Sequence, residues 1–499
     1  MERRSRRWTV AAFAAFAFAI AFPMQVNGWN QNAHYALVRA FADGTPTIDE
    51  TRHEIGDVGT GDVTLVNGHY YSNKAPGLPL VTLPAFVVVE AVGMRTTGDP
   101  TRVIWALHLW SIAIPALLLL LLVRRVADGF ALGYGTATAL TLGLGTAVLP
   151  FATLYFAHVL SAALGFAAFA ALWHERRGPP RAWLVALAGM LAGFATGAEY
   201  TAAIVGLVLW LLVLARRPHA RRALAYVGGG ALGIAPLALY NQWAFGSPTH
   251  FSYAENQVEP IGGFFGVGVP SLGAARDLLF SAWGLLTNMP VLALGVVGAV
   301  LLYRSGRRLE SLVLLAVPSL AFLHDIALQF SPFGGLGLPR YLIYAFPFVV
   351  APLGLAYRQF PLTTLALAGV SALQMILMTA TNPLAAYDLD WAGRASRREF
   401  SQNAAAFVEV TGWYTIALFF LAASVAVVAA VATLPRFVVE WRDAALAGGT
   451  VLAWGVVAAL ARTPSGGKHE LDYLIVVAVC ALAVPLAALT TSRLHARAA

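Results

Sequence analysis

The stretch TRVIWALHLWSIAIPALLLLLLVRR, residues 101–125, decides the class of this chain. No Asp, Glu, Lys or Arg stands between Arg102 and Arg124. A bilayer core about 30 Å thick needs about 20 apolar residues of helix to cross it. A leucine run of that length, closed by an arginine pair, reads as a membrane-spanning helix with its tether. The rest of the chain agrees. Over 499 residues, 59% are hydrophobic and 12% charged, and the mean hydropathy is +0.69. Soluble domains carry about 45–50% apolar and about 25% charged residues. So few charges could not coat a soluble protein of this size. Composition therefore excludes a cytosolic enzyme, a disordered chain and an ordinary nucleic-acid binder.

Working outward, about fourteen segments have the hydropathy of a span. They lie near 8–26, 102–123, 130–150, 156–173, 182–199, 200–215, 223–240, 288–303, 309–328, 341–357, 361–380, 413–434, 444–461 and 472–491. The expected fold is an all-α polytopic membrane protein of about 11–14 transmembrane helices. Residues 1–380 are expected to form one transmembrane module with an outer loop at 27–100. Residues 381–499 then supply a further outer loop and the last helices. The first segment follows four arginines but no A-x-A site follows it, so it reads as an uncleaved anchor. Cys480 is the single cysteine, which excludes an intramolecular disulfide framework.

Arginine placement orients the expected spans. With both termini in the cytoplasm, the short inner loops collect Arg124, Arg125, Arg176, Arg177, Arg216, Arg217, Arg221, Arg222, Arg307, Arg308, Arg436 and Arg442. The net charge of +8 thus falls mainly on one side. The outer loops, near 27–100, 241–287, 329–340 and 381–412, are longer and hold most of the acids and histidines. Chemistry is usually carried by loops on a rigid scaffold, so the active face should be extracytoplasmic.

The first outer loop is the richest. NGWNQNAHYALVRAFADG, from residue 27, spaces Tyr35, Leu37, Val38 and Phe41 as a short interfacial helix would. TPTIDETRHEIGDVGTGD then gathers Asp49, Glu50, Glu54, Asp57 and Asp62. NGHYYSNKAPGLPLVTLPAF, from residue 67, sets His69, Tyr70, Tyr71 and Lys74 before a short apolar helix, about 78–94, that dips into the interface. Loop carboxylates can supply a general base for a hydroxyl acceptor. Lysine and aromatics at headgroup depth can hold a lipid phosphate. The plainer alternative is an exposed loop solvated by its acids, with an aromatic belt beside it.

Polar residues at span ends extend the list. An unpartnered charge at the bilayer centre costs about 2.5–3.5 kcal/mol on insertion scales, so Glu199 should face a cavity or a partner. Tyr200 lies beside it. His158 opens a span and reads as a structural hydrogen bonder or a cavity group. His324-Asp325 reads as a mutual hydrogen bond. Arg340, after Pro339, either snorkels or binds an oxyanion. Asp388-Leu389-Asp390 is too little to imply a metal, and no His/Cys cluster has zinc spacing.

Several blocks resemble a known family: GHYYSNKAPGLPL, FAHVLSAAL at 156–164, EYTAA at 199–203, YNQWAFGSP at 240–248 and FGGLGLPRYLIYAFPF at 333–348. Together they resemble the C-type (GT-C) integral membrane glycosyltransferase superfamily. More narrowly they resemble bacterial members related to protein O-mannosyltransferases and to the lipid A aminoarabinose transferase. The resemblance implies an inverting transferase in the bacterial plasma (inner) membrane. It would move a sugar from a polyprenyl-phosphate donor to an extracytoplasmic lipid, cell-envelope glycan or protein.

It implies a loop acid as base, Asp49 first and then Asp57. It implies donor-phosphate contacts from Lys74 and Arg340; the residues themselves add His69 and Tyr71 to that expectation, with His158, Glu199, Tyr200, Gln31 and Asn32 as candidates to line a cavity. No cofactor or metal is expected beyond the lipid-linked donor. The expected partners are membrane lipid and that donor, with no nucleic acid; the oligomeric state stays open. One departure stands out. Where many relatives carry an Asp-Glu pair, this chain has Asn30-Gln31-Asn32. An amide cannot act as base, so either the base has moved or transferase activity is lost. A transporter or flippase of lipid-linked glycans is the other alternative. It would call for charged or broken helices near the midplane and internal pseudo-symmetry.

Overall fold

The computed structural model describes residues 2–55, 59–250, 252–253, 255, 266–329, 331, 333, 337–384, 391–462, 474–483 and 485. The described chain is mostly helical, with two small antiparallel sheets. Among the described residues, six helices are long and apolar enough to cross a membrane, and two further bent pairs would raise that to eight.

The leucine-rich stretch forms one continuous element, Thr101–Phe130. Inside it the chain widens to a π-turn at Leu109–Ala113. Pro115 lies just beyond and removes the amide donor that Ser111 would have used, which places the irregularity there. The 288–303 segment belongs to a bent pair, Leu272–Asn288 and Val291–Arg304, turned by 85° at Pro290. The 130–150 segment is shorter than a span. It forms Gly135–Gly145, every residue of which is buried, and then Val148–Phe151. A helix apolar on all sides and enclosed by others is a core element.

The segments at 182–199 and 200–215 form two short apolar helices, Ala182–Ala198 and, after a 3-10 turn, Ala203–Leu214. Ala182–Ala198 lies against His219–Phe245 with almost no side chain between them. A Cβ on Gly229 would fall 1.9 Å from the Ala186 carbonyl oxygen, and one on Gly233 2.1 Å from that of Met190. Small residues let two apolar helices approach backbone to backbone, where dispersion rather than water exclusion holds them.

The first loop is folded. Asn67 and Gly68, at φ 52° and 82°, turn the strands Val63–Val66 and His69–Ser72 into a hairpin. Asn-Gly suits this turn because both central residues need positive φ. The helix Trp29–Ala42 is more enclosed than its amphipathic pattern predicts. Tyr35, Ala36, Leu37 and Val38 are all fully buried. The Tyr35 ring meets Phe86 of the helix Gly77–Ala91 edge-on, and its hydroxyl donates to the Thr96 carbonyl at 2.8 Å. The loop covers its own helix.

The C-terminal part is tied to the rest. Pro23–Met24 pairs with Gln402–Asn403. The Asp443 carboxylate accepts the Leu362 and Thr363 amides at 2.7 and 3.2 Å, at the start of the helix Pro361–Thr381. A carboxylate is favourable there because the first amides of a helix lack partners.

Candidate functional site

Lys74 follows the hairpin and precedes Pro76-Gly77, where the next helix begins. A Cβ on Gly77 would lie 2.6 Å from the Gly197 carbonyl oxygen and 2.7 Å from Ala198 Cα. Only glycine allows this approach, which presses the start of one helix onto the end of another. The contact sets Lys74 beside Glu199, the residue that ends Ala182–Ala198. Both line one small polar pocket, with Asn30, His34, His158 and Arg340.

Each side chain has a physical setting. Lys74 is buried; its Nζ stands 3.2 Å from Asp62 Oδ2 and donates to the Tyr253 hydroxyl at 3.2 Å. Arg340 is also buried. Its guanidinium lies over the Phe156 and Tyr341 rings and donates to the Tyr341 hydroxyl at 3.2 Å. His158 opens the helix Ala157–Glu175, with Nδ1 3.0 Å from Glu199 Oε2. Among the described residues, Asn30 Oδ1, His34 Nδ1, His158 Nε2 and Arg340 Nε have no hydrogen-bond partner. Four unsatisfied polar atoms around one pocket are unusual, because interiors normally pair such groups.

The loop charges follow from this setting. Burial pushes the Asp62 carboxyl up, but Lys74 and then Arg340 outweigh it and hold the group below the usual carboxylate range. Burial, reinforced by Lys74, pushes His34 down to about 3, so its imidazole is neutral. Burial raises the Tyr253 hydroxyl well above its usual range and keeps it protonated.

A second, mostly apolar cavity of about 460 Å³ adjoins the polar pocket. Ile204, Leu207 and Leu237 help to line it. Glu199, Tyr200, Tyr253 and Tyr341 line both spaces, so the two meet along these four residues. Leu207 is 67% exposed at its flank. A polar head space thus joins an apolar channel that reaches the protein's apolar surface.

The structure brings Lys74, Arg340, His158, Glu199 and Tyr200 to this junction. Asp49 and His69 lie elsewhere. Asp49 accepts the Tyr70 amide at 2.6 Å and pairs with His69 Nδ1 at 2.7 Å, and neither residue lines the pocket or the cavity. Tyr71 packs its ring on Phe245. Gln31 braces the chain: it donates to Val26 and Asn27 and accepts the Tyr155 amide. Asn32 donates to the Gly59 carbonyl at 2.7 Å. Asp57, Asp388 and Asp390 lie outside the described residues. His324 pairs with Asp325 at 3.1 Å and lines the apolar cavity.

His34, Tyr253 and Tyr341 were not singled out by the sequence reading; Asp62 was named only among the loop acids, and Asn30 only within the amide triplet. Only Asp62 had a usable signal. The Asn67-Gly68 turn pairs Val66 with His69 and Val63 with Ser72, which sets Asp62 opposite Asn73, next to Lys74. The others arrive from separate elements.

No family model and no curated protein matches the chain. Among solved structures it is similar to ArnT from Cupriavidus metallidurans bound to undecaprenyl phosphate, at 14% identity and a TM-score of 0.49, covering 94% of this chain and 84% of that one. The apo state of ArnT from the same organism matches at 15% identity and a TM-score of 0.49, covering 90% and 78%. The Archaeoglobus fulgidus oligosaccharyltransferase AglB, in complex with an inhibitory peptide and a dolichol-phosphate, matches at 14% identity and a TM-score of 0.45, covering 88% and 57%. Likenesses this distant say nothing of chemistry, which rests on this chain's own residues. The resemblance to the C-type (GT-C) integral membrane glycosyltransferases is carried by the chain's own sequence blocks.

Proposed function

We propose that the chain is a membrane glycosyltransferase that moves a sugar from a polyprenyl-phosphate donor to an extracytoplasmic acceptor, with inversion at the anomeric carbon. One observation carries this reading: the buried cations Lys74 and Arg340 line a polar pocket that adjoins an apolar cavity. The prenyl chain suits the cavity and the phosphate suits the cations. Lys74 acts as a point charge, and Arg340 offers a planar fork that matches phosphate oxygens. Charge that grows on the departing phosphate is stabilised most by cations already held in place, away from water. The phosphate ester carries the activation, so no nucleotide is required.

The loop carboxylate expected as base, Asp49, is turned toward His69 and the Tyr70 amide. Asp62 is paired with Lys74, which lines the pocket. Sidedness supports an extracytoplasmic site. His158 and Glu175 end the same helix, about 25 Å apart at 1.5 Å rise per residue. Glu175 sits among Arg216 and Arg222, in the arginine-rich region that the positive-inside rule assigns to the cytoplasm. By the same rule both termini are cytoplasmic; the membrane proposed is the bacterial inner membrane.

The test uses purified protein in lipid nanodiscs, given a radiolabelled polyprenyl-phosphate sugar and acceptor membranes. The expected result is sugar transfer, with Lys74→Ala and Arg340→Ala each weakening donor binding. Donor affinity unchanged in both variants would remove the phosphate site.

A further inference from the structure

We infer that His158 takes the acceptor's proton and that Glu199 positions it, which makes this pair the general-base unit of the proposed transfer. The inference rests on the transferase reading above. It starts from the hydrogen bond between His158 Nδ1 and Glu199 Oε2 at 3.0 Å. A carboxylate only accepts, so Nδ1 carries the hydrogen and Nε2 keeps its lone pair. That Nε2 is buried, has no hydrogen-bond partner among the described residues, and belongs to a side chain lining the polar pocket. The ring cannot readily turn away. Phe156 stacks against it, while Phe151 and Tyr341 meet it edge-on, with centroids 5.6–6.1 Å away.

His108 gives the contrast within the same molecule. It is equally buried, but Nδ1 lies 2.9 Å from the Trp105 carbonyl oxygen and Nε2 3.0 Å from that of Ala152. That is a structural histidine with both nitrogens facing backbone carbonyl oxygens. His158 spends one nitrogen on orientation and leaves the other for the pocket. The alternatives are weaker. Asn30 lines the pocket but an amide is not a base, Asp62 is paired with Lys74, and Asp49 lies outside the pocket.

The step balances. The acceptor hydroxyl oxygen attacks the anomeric carbon and forms the new C–O bond. The bond from that carbon to the phosphate oxygen breaks, and its electron pair leaves on the phosphate beside Lys74 and Arg340. The hydroxyl proton passes to His158 Nε2, and the imidazolium is stabilised by the Glu199 carboxylate. Water takes the proton as products leave. The charged or titratable groups that act on His158 or share its pocket are Glu199, Arg340, Lys74, His34, Tyr200, Tyr253 and Tyr341.

The test measures turnover and donor binding separately, on full-length protein in nanodiscs with radiolabelled polyprenyl-phosphate sugar. His158→Ala and His158→Gln should lower kcat by roughly 10²–10⁴-fold. Donor affinity should stay at the wild-type value, and added imidazole should restore part of the turnover of His158→Ala. Glu199→Gln should lower kcat less, without a loss of donor affinity. Retained donor binding also shows that the variants are folded. Three results overturn the inference: wild-type turnover in both His158 variants, donor affinity falling in step with turnover, or no imidazole rescue. The second would make His158 a phosphate ligand. A wild-type protein that neither binds nor uses the donor overturns the transferase reading, and the dyad's role with it.

Discussion

Lys74 Nζ stands 3.2 Å from Asp62 Oδ2, and the register of the Asn67-Gly68 hairpin brings them near each other by setting Asp62 opposite Asn73, the residue before Lys74. The pair is largely enclosed, with side chains 9% and 21% exposed. Each charge therefore depends on the other for its burial. Lys74→Ala removes the cation paired with the Asp62 carboxylate and should cost about 1–3 kcal/mol of stability as well as donor affinity. Lys74→Met combined with Asp62→Leu should recover the stability but not the affinity. Thermal unfolding and donor binding on both proteins check this. A double variant no more stable than the single one would mean that the ion pair is not what holds the hairpin.

Acid should weaken the fold through His34. Its imidazole is held down to about 3 by burial and by Lys74, against an ordinary value of 6.5. Between these values the unfolded chain binds a proton that the folded chain refuses. Stability from this group is therefore complete above pH 6.5 and declines as pH falls, by up to about 1.4 kcal/mol per pH unit. Asp62 adds a loss in the same direction at lower pH, because its folded value lies below 3.8. His34→Gln should flatten the decline between pH 6.5 and 5. Unfolding curves with the same acid slope in both proteins would contradict this.

Gly77→Ala tests the contact that brings lysine and glutamate together. The added methyl would lie 2.6 Å from the Gly197 carbonyl oxygen, so one helix must shift. Overpacking of this kind costs about 1–3 kcal/mol. The expected readout is a lower unfolding temperature together with weaker donor binding, because Lys74 moves with the helix start. Wild-type donor affinity in a destabilised Gly77→Ala protein would separate the helix contact from the position of the lysine.

Asp49→Asn separates the loop from the chemistry. Asp49 is partly exposed and holds the Tyr70 amide and His69. Losing the charge should cost about 1 kcal/mol or less and leave donor affinity intact. Turnover in nanodiscs should stay close to wild type. Loss of transfer with the fold preserved would return the base to the loop carboxylate and remove it from His158.

The membrane class was written in composition alone, since 12% charged residues cannot cover a soluble protein of this length. Hydropathy is a local property, so helices could be read from windows of sequence, and the Asn67-Gly68 turn and the Pro76-Gly77 step that opens the Gly77–Ala91 helix are local too. Span length was less legible. The split at 199/200 and the all-round burial of Gly135–Gly145 depend on which neighbours a helix meets. The site was least legible of all. Asp49 and Asp62 sit in the same acid-rich stretch, yet only Asp62 faces Lys74, because hairpin register decides it. His158 meets Glu199, and Arg340 joins the same pocket, because bare glycine faces and the Gly77 contact let distant helices close on one another. Sequence determined the solvent this chain lives in and the residues available to it. Tertiary packing decided which of them share a pocket, since that depends on contacts between segments far apart in the chain.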